Sequence, residues 1–339
     1  MKGRGAHAVT ALGIEGTAHT AGVGIVRGSE ARGFEVLANR SDMFRPPKGG
    51  IHPREAAEHH ADLLPALLGA AFEESGLSPK DLDVVCFSQG PGLGPCLRTA
   101  ATTGRALSLS LGLPLVGVNH CVSHLEVGRV LTDATDPLLL YASGGNTQII
   151  AYAAGKYRVF GETLDVGLGN MLDKFALEVG LTFPGGPKVE ELALGGRKYF
   201  ELPYSVKGMD LAFSGILTAA LALYKSGAPL ADLCYSIQET CFAMLCETTE
   251  RALAHARKDE VVIGGGVVQN KRLQAMVETM CRERGAKFFV PPRALLPDNG
   301  AMIALAGALE FAASGGIPLE ASAVRQRYRT DQVAVTWRA

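Results

Sequence analysis

The sequence predicts an α/β protein built as two similar lobes around a cleft. Three observations carry this. At 339 residues the chain is longer than one hydrophobic core usually serves, and 47% hydrophobic residues are ample for two. A strand, a Gly/Thr-rich turn and a second strand occur near the start and again near the middle. Strands and helical stretches then alternate behind each of these hairpins.

In chain order, Val9–Ile14 reads as a strand, Glu15-Gly16-Thr17 as a turn, Gly22–Val26 as a second strand and Phe34–Leu37 as a third. The loop from Phe44 to His52 follows, including Pro47, Lys48 and Gly49, and Pro53 opens a helix at the first-turn position that proline tolerates. Asp83–Phe87 is a strand running into the loop Ser88–Pro95 and a helix, and Pro114–Val118 is another strand. The pattern recurs with Leu138–Tyr141, the turn Ser143-Gly144-Gly145-Asn146-Thr147, and Gln148–Tyr152. Helices are expected over Gly169–Gly180, Ser214–Lys225 and Leu230–Ala256. A late strand, Glu260–Ile263, meets Gly264-Gly265-Gly266 and a helix from about Asn270.

The net charge is −1, without a basic tail, so any grip on nucleic acid needs a local patch or partner subunits. No apolar run reaches spanning length and the first residues lack a signal-peptide core, which points to no membrane and a cytoplasmic location. Seven cysteines without a C-x-x-C pair read as reduced thiols, with Cys86, Cys121, Cys234 and Cys241 in apolar segments.

Two patterns bear chemistry. His120 and His124 stand four residues apart where a helix opens, so both rings can face one ion. A satisfied histidine pair is the alternative, and further ligands must come from elsewhere. Asp298 alone reads as a helix N-cap and Tyr141 alone as a half-buried aromatic; together with the histidines they form a nitrogen/oxygen set suited to iron or zinc. Cys121 follows His120, so the acid of H-E-x-x-H is missing. The glycine turns at Ser143–Thr147 and Gly264–Gly266 can offer backbone N–H groups to an anion, although ordinary turns look the same. Asp173 and Glu190 are candidates for ribose hydroxyls or plain solvated acids. The adjacent His59 and His60 read as surface or loop-packing residues.

Five segments together are more specific. Gly13-Ile14-Glu15-Gly16-Thr17-Ala18-His19-Thr20, Gly49 through Ala57, Asn119 through His124, Ser143 through Gln148, and Leu172-Asp173-Lys174-Phe175-Ala176 resemble the tRNA threonylcarbamoyladenosine synthesis family, archaeal/eukaryotic branch. The resemblance runs from about residue 9 to about residue 310. It implies the actin-like ATPase fold, with two ribonuclease-H-like lobes: residues 1–134, completed by a C-terminal helix near 305–325, and residues 135–304. It implies one metal ion, iron before zinc, held by His120, His124 and Asp298 with Tyr141 nearby or coordinating. It implies an adenylate held by Tyr141, Ala142, Ser143, Gly144, Gly145, Asp173, Gly186, Glu190 and Asn270. The implied reaction passes threonylcarbamoyl from threonylcarbamoyl-adenylate, made by a separate synthase, to the exocyclic amine of the adenosine beside the anticodon in tRNAs reading codons that begin with A. AMP leaves. Implied partners are tRNA and the KEOPS subunits, including a small kinase-like ATPase. Glu15 and His19 are the candidate bases. A metalloprotease and an actin-like ATPase or kinase are the rival expectations.

Overall fold

The computed structural model describes residues 7–46 and 50–338, so Pro47, Lys48 and Gly49 of the expected loop and motif lie outside the described residues. The chain divides into two compact units. The first takes the chain up to Asp133, then Ala154–Tyr157, then everything from Asp298; the second comprises Ala134–Ala153 and Arg158–Pro297. The return to the first unit comes at Asp298, ahead of the expected residue 304, because the helix that rejoins it begins at Gly300 and ends at Ser314.

The first unit holds β1 (Val9–Glu15), β2 (Thr20–Ser29), β3 (Gly33–Met43), α1 (Pro53–Ser75), β4 (Val84–Gly90), α2 (Gly94–Leu111), β5 (Leu115–Asn119) and α3 (His120–Leu131). Its sheet runs β3-β2-β1-β4-β5. The β1–β2–β3 meander is antiparallel, and β4 and β5 join it in parallel. Every residue of β1, β4 and β5 is buried, as expected of strands covered on both faces.

The second unit holds β6 (Leu138–Ala142), β7 (Thr147–Ala153), β8 (Lys156–Glu162, apart from its first two residues, which belong to the first unit), α4 (Leu168–Glu178), α5 (Gly185–Ala193), the two-residue strands β9 (Val206–Lys207) and β10 (Asp210–Leu211), α6 (Ser214–Lys225), α7 (Leu230–Ala256), β11 (Glu260–Gly264), α8 (Lys271–Glu283) and β12 (Lys287–Phe289). Its sheet order, read as β8-β7-β6-β11-β12, repeats that of the first unit strand for strand. The antiparallel β6–β7 pair and the parallel β6–β11 and β11–β12 pairs repeat the directions as well. The duplicated hairpins of the sequence are thus the first two strands of two sheets with one topology.

The last helix, α9 (Gly300–Ser314), returns to the first unit and packs on β1, β2 and β4. Glycine permits this approach. A Cβ on Gly13 or Gly24 would collide with the backbone of Ala304 or Ala301, and one on Gly300 would collide with Val23 and Gly24. α9 is buried from Gly300 through Leu309, so it is a core helix rather than an amphipathic one. All seven cysteines are free and buried. Among the described residues no helix is long and apolar enough to cross a membrane.

Candidate functional site

The turn after β5 delivers the histidines. Asn119 caps α3, its Oδ1 accepting from the Val122 N–H at 3.1 Å. The helix is buried from His120 to Gly128, so the pair at i and i+4 faces protein. Their ring centroids lie 4.9 Å apart at 84°. Asp298, just before α9, comes to the same point: its Oδ1 is 3.4 Å from His120 Nε2 and 3.3 Å from His124 Nε2. Asp298 is not the N-cap that the sequence suggests. Asn299 takes that role, accepting from the Met302 N–H at 2.9 Å, and this leaves the Asp298 carboxylate to the histidines.

Burial alone would raise the Asp298 carboxyl, but the charges and hydrogen bonds of His120 and His124 outweigh it and hold the group well below the usual carboxylate range. Burial lowers the His124 imidazole, favouring the neutral ring that metal ligation requires. Burial pushes the neighbouring Cys121 thiol up to about 11, so it is no ready thiolate ligand.

Glu15 lies behind His120. It is fully buried; its Oε1 accepts from the Thr17 N–H at 2.7 Å and from the Thr17 hydroxyl, and its Oε2 faces His120 Nδ1 at 3.1 Å. A carboxylate there accepts the hydrogen bond of Nδ1–H and leaves Nε2 as the nitrogen that ligates. With both oxygens engaged and none of it exposed, Glu15 is placed to orient His120. His19 is half-buried, its carbonyl accepting from the Phe44 N–H at 2.8 Å. Ser88, which sequence reasoning missed, fixes the turn by accepting from the Gly16 N–H at 3.0 Å. His60, expected at the surface or packed by a loop, is fully buried against Gly16, while His59 reaches Asp42 at 2.9 Å.

The donor atoms of His120, His124 and Asp298 all lie within 4.8 Å of one another. Two ligands about 2.0–2.1 Å from a tetrahedral ion stand roughly 3.4 Å apart, which is the spacing of each histidine nitrogen from Asp298. These three residues therefore fit a cation with nitrogen/oxygen preference. Among the described residues no other group of three His, Cys, Asp or Glu does so.

In the second unit, Tyr141 and Ala142 end β6, both buried. The turn that follows closes with Ser143 N–H donating to the Asn146 carbonyl at 2.8 Å. The start of α4 packs on it, with Gly169 N–H donating to the Ser143 carbonyl at 3.1 Å and Asn170 N–H to the Gly144 carbonyl at 3.0 Å. Gly265, at φ +99°, brings the second glycine loop against the Ala142 carbonyl. The space where side chains would stand on Gly145 and Gly266 is open, so a ligand can approach the backbone there. Asp173 accepts from the Gly185 N–H at 2.7 Å and so secures the loop carrying Gly186. Glu190 Oε1 accepts from the Lys271 N–H at 2.8 Å, beside Asn270. Asn270 caps α8 through Arg272 N–H and Leu273 N–H and donates to Gln238. The structure thus ties Asp173 to the loop carrying Gly186, and Glu190 to Lys271, the residue after Asn270.

Comparison with known proteins settles the lineage. Residues 35–305 match the sequence model of the tRNA N6-adenosine threonylcarbamoyltransferase family. The chain belongs to this family. A tRNA N6-adenosine threonylcarbamoyltransferase of Thermococcus sibiricus is 58% identical over 96% of this chain and 99% of its own length. A probable bifunctional tRNA threonylcarbamoyladenosine biosynthesis protein of Methanothermobacter thermautotrophicus is 56% identical over 96% of this chain, which spans 60% of that longer protein. Among solved structures, HypF of T. kodakarensis superposes at a TM-score of 0.64 with 14% identity, covering 90% of this chain and 48% of its own. The activator of 2-hydroxyisocaproyl-CoA dehydratase from Clostridium difficile does so at 0.53 with 11% identity, covering 89% and 95%. The fold of this transferase family member is the actin-like ATPase fold.

Proposed function

We propose that this chain transfers the threonylcarbamoyl group from threonylcarbamoyl-adenylate to the exocyclic amine of the adenosine beside the anticodon, in tRNAs reading codons that begin with A. The observation that carries the reading is the near-full-length likeness to the Thermococcus sibiricus transferase. In the reaction the amine nitrogen bonds to the carbamoyl carbon, the bond from that carbon to the phosphate oxygen breaks, AMP departs with the electron pair, and the amine gives up a proton.

The second unit would hold the adenylate. Backbone N–H groups of Gly144 and Gly145 receive phosphate charge, with Ser143, its own N–H closed on Asn146, shaping the turn; Asp173 and Glu190 receive ribose hydroxyls, and Tyr141, Ala142, Gly186 and Asn270 complete the surround. His120, His124 and Asp298 would hold one metal ion, iron before zinc, which when bound supplies a Lewis-acid grip on oxygens of the threonyl group. Glu15 keeps His120 Nε2 free to ligate. His19 is the candidate left for receiving the amine proton. With a net charge of −1, the grip on tRNA is shared with KEOPS partners, among them a small kinase-like ATPase, in the cytoplasm, and a separate synthase supplies the adenylate.

The test is a reconstituted assay with tRNA, threonylcarbamoyl-adenylate and partner subunits. The expected result is AMP released in step with modified nucleoside. Release of ADP without tRNA modification, or cleavage of glycoproteins, would overturn the reading in favour of a kinase or a protease. The protease also lacks its base, since Cys121 stands after His120.

A further inference from the structure

After α9 the chain runs on from residue 315 to residue 338 with only short 3-10 turns, beyond the 35–305 stretch that matches the family. This strap crosses the ends of β4 and β5, the strands that lead into the His120 region. The Arg325 N–H donates to the Gln89 carbonyl at 2.8 Å, and the Gln89 amide donates to the carbonyls of Ala321 and Ala323 at 2.9 Å each.

Two routes then converge on His120. In one, the Tyr328 carbonyl accepts from Asn119 Nδ2 at 3.0 Å, while the other end of the same amide caps α3. In the other, the Gln326 carbonyl accepts from the Gly92 N–H at 3.2 Å, the next residue, Leu93, donates its N–H to the Thr17 carbonyl at 2.7 Å, and the Thr17 hydroxyl lies 3.3 Å from His120 Nδ1. The strap segment that supplies both carbonyls is braced by the Arg325 guanidinium, 3.7 Å above the Tyr328 ring.

We propose that Asn119 and the strap residues Arg325–Tyr328 are positioning elements for His120, setting the affinity of the His120–His124–Asp298 centre for its cation. The inference rests on the metal reading above. A strap that only held the fold together would need no contact with the cap of α3 or with the loop over Thr17. Its far end supplies the contrast: Arg105 Nε and Nη2 donate to the Ser322 hydroxyl and carbonyl at 2.7 and 2.5 Å, on the α2 side, and touch neither the Asn119 amide nor the Gly92–Leu93 loop.

The test is Zn²⁺ affinity by chelator competition on the full chain, beside the unfolding midpoint of the metal-free protein. Asn119→Ser keeps a capping oxygen and loses the strap bond. It is expected to weaken Zn²⁺ binding roughly tenfold, the scale of lost outer contacts at metal sites, with the metal-free midpoint little changed. Tyr328→Ala unseats the strap without touching the cap, so it decides the matter should Asn119→Ser not fold; the same weakening is expected. Arg105→Ala should lower the midpoint and leave Zn²⁺ affinity alone. Wild-type affinity in Asn119→Ser and Tyr328→Ala overturns the proposal, as does an equal loss in Arg105→Ala. A wild-type chain that takes up no Zn²⁺ overturns the metal reading itself, and the proposal with it.

Discussion

In the first unit, side chains converge: two imidazoles and a carboxylate from separate parts of the chain bring their donor atoms within 4.8 Å of one another. In the second unit, the corresponding residues are dispersed, and each serves the fold. Asp173 holds the Gly185 N–H, Glu190 holds the Lys271 N–H, and Asn270 caps α8. On the proposed reading the first unit would present side chains to its ligand, and the second backbone shaped by side chains. Substitutions should therefore separate cleanly in the first unit and mix stability with binding in the second.

The largest expected effect tests the convergent site. The His120→Ala/His124→Ala double variant should fall from one metal per chain to essentially none by elemental analysis, while Asp173→Ala keeps its metal. Equal metal in the double variant and wild type would abolish the contrast. Next, Gly24→Ala should destabilise the first unit by about 3 kcal/mol in denaturant melts, because the new Cβ meets the α9 backbone rather than a yielding side chain.

A pH effect of similar size belongs to the same unit. Burial, and then the nearby His59 and His19, lower the His60 imidazole to about 4, while the Ala56 and Thr20 backbone acts weakly the other way. The unfolded chain then binds this proton more tightly between pH 6.5 and 4. Stability is full above 6.5 and falls with pH, by roughly 3 kcal/mol at the bottom of that window. The sole tryptophan, Trp337, is buried beside Tyr157 in the first unit, so its fluorescence can follow the loss. His60→Gln should flatten this acid limb, and an unchanged limb would assign it to other groups.

The smallest stability effects should come from the second unit, where binding is the sharper readout. Asp173→Ala should cost about 1–3 kcal/mol in stability and also weaken AMP binding, because the Gly185 N–H loses its partner. Gly145→Ala meets open space and should change stability by less than about 0.5 kcal/mol, yet still impair AMP binding. If Asp173→Ala lowers affinity with no change in stability, its bond to Gly185 contributes nothing to the fold.

Much of this was legible in the chain. The two hairpins announced themselves through Gly/Thr turns between apolar runs, and α6 and α7 lie where the sequence placed them, Ser214–Lys225 and Leu230–Ala256. The edge strands β8 and β12 were not read, since Lys156–Glu162 is half-exposed and Lys287–Phe289 has only three residues. Asp298 and Asn299 are adjacent capping types, and local sequence does not say which one caps; the approach of α9 to β1 and β2 decides it. The depth of His60 and Glu15 is not legible in local sequence, because what encloses them comes from distant parts of the chain. The strap gave no periodic signal, as its order comes from contacts with β4 and β5 rather than from its own pattern.

The division of the chain has a consequence for synthesis. β1 and β2 leave the ribosome early, but the helix that covers them and the aspartate that completes the His120 cluster come only after the whole second unit has been made. At about 5–20 residues per second, the stretch from residue 134 to residue 297 takes roughly 10–30 s. The second unit can finish folding in that interval. The first waits with the face of β1 and β2 that α9 will cover still open.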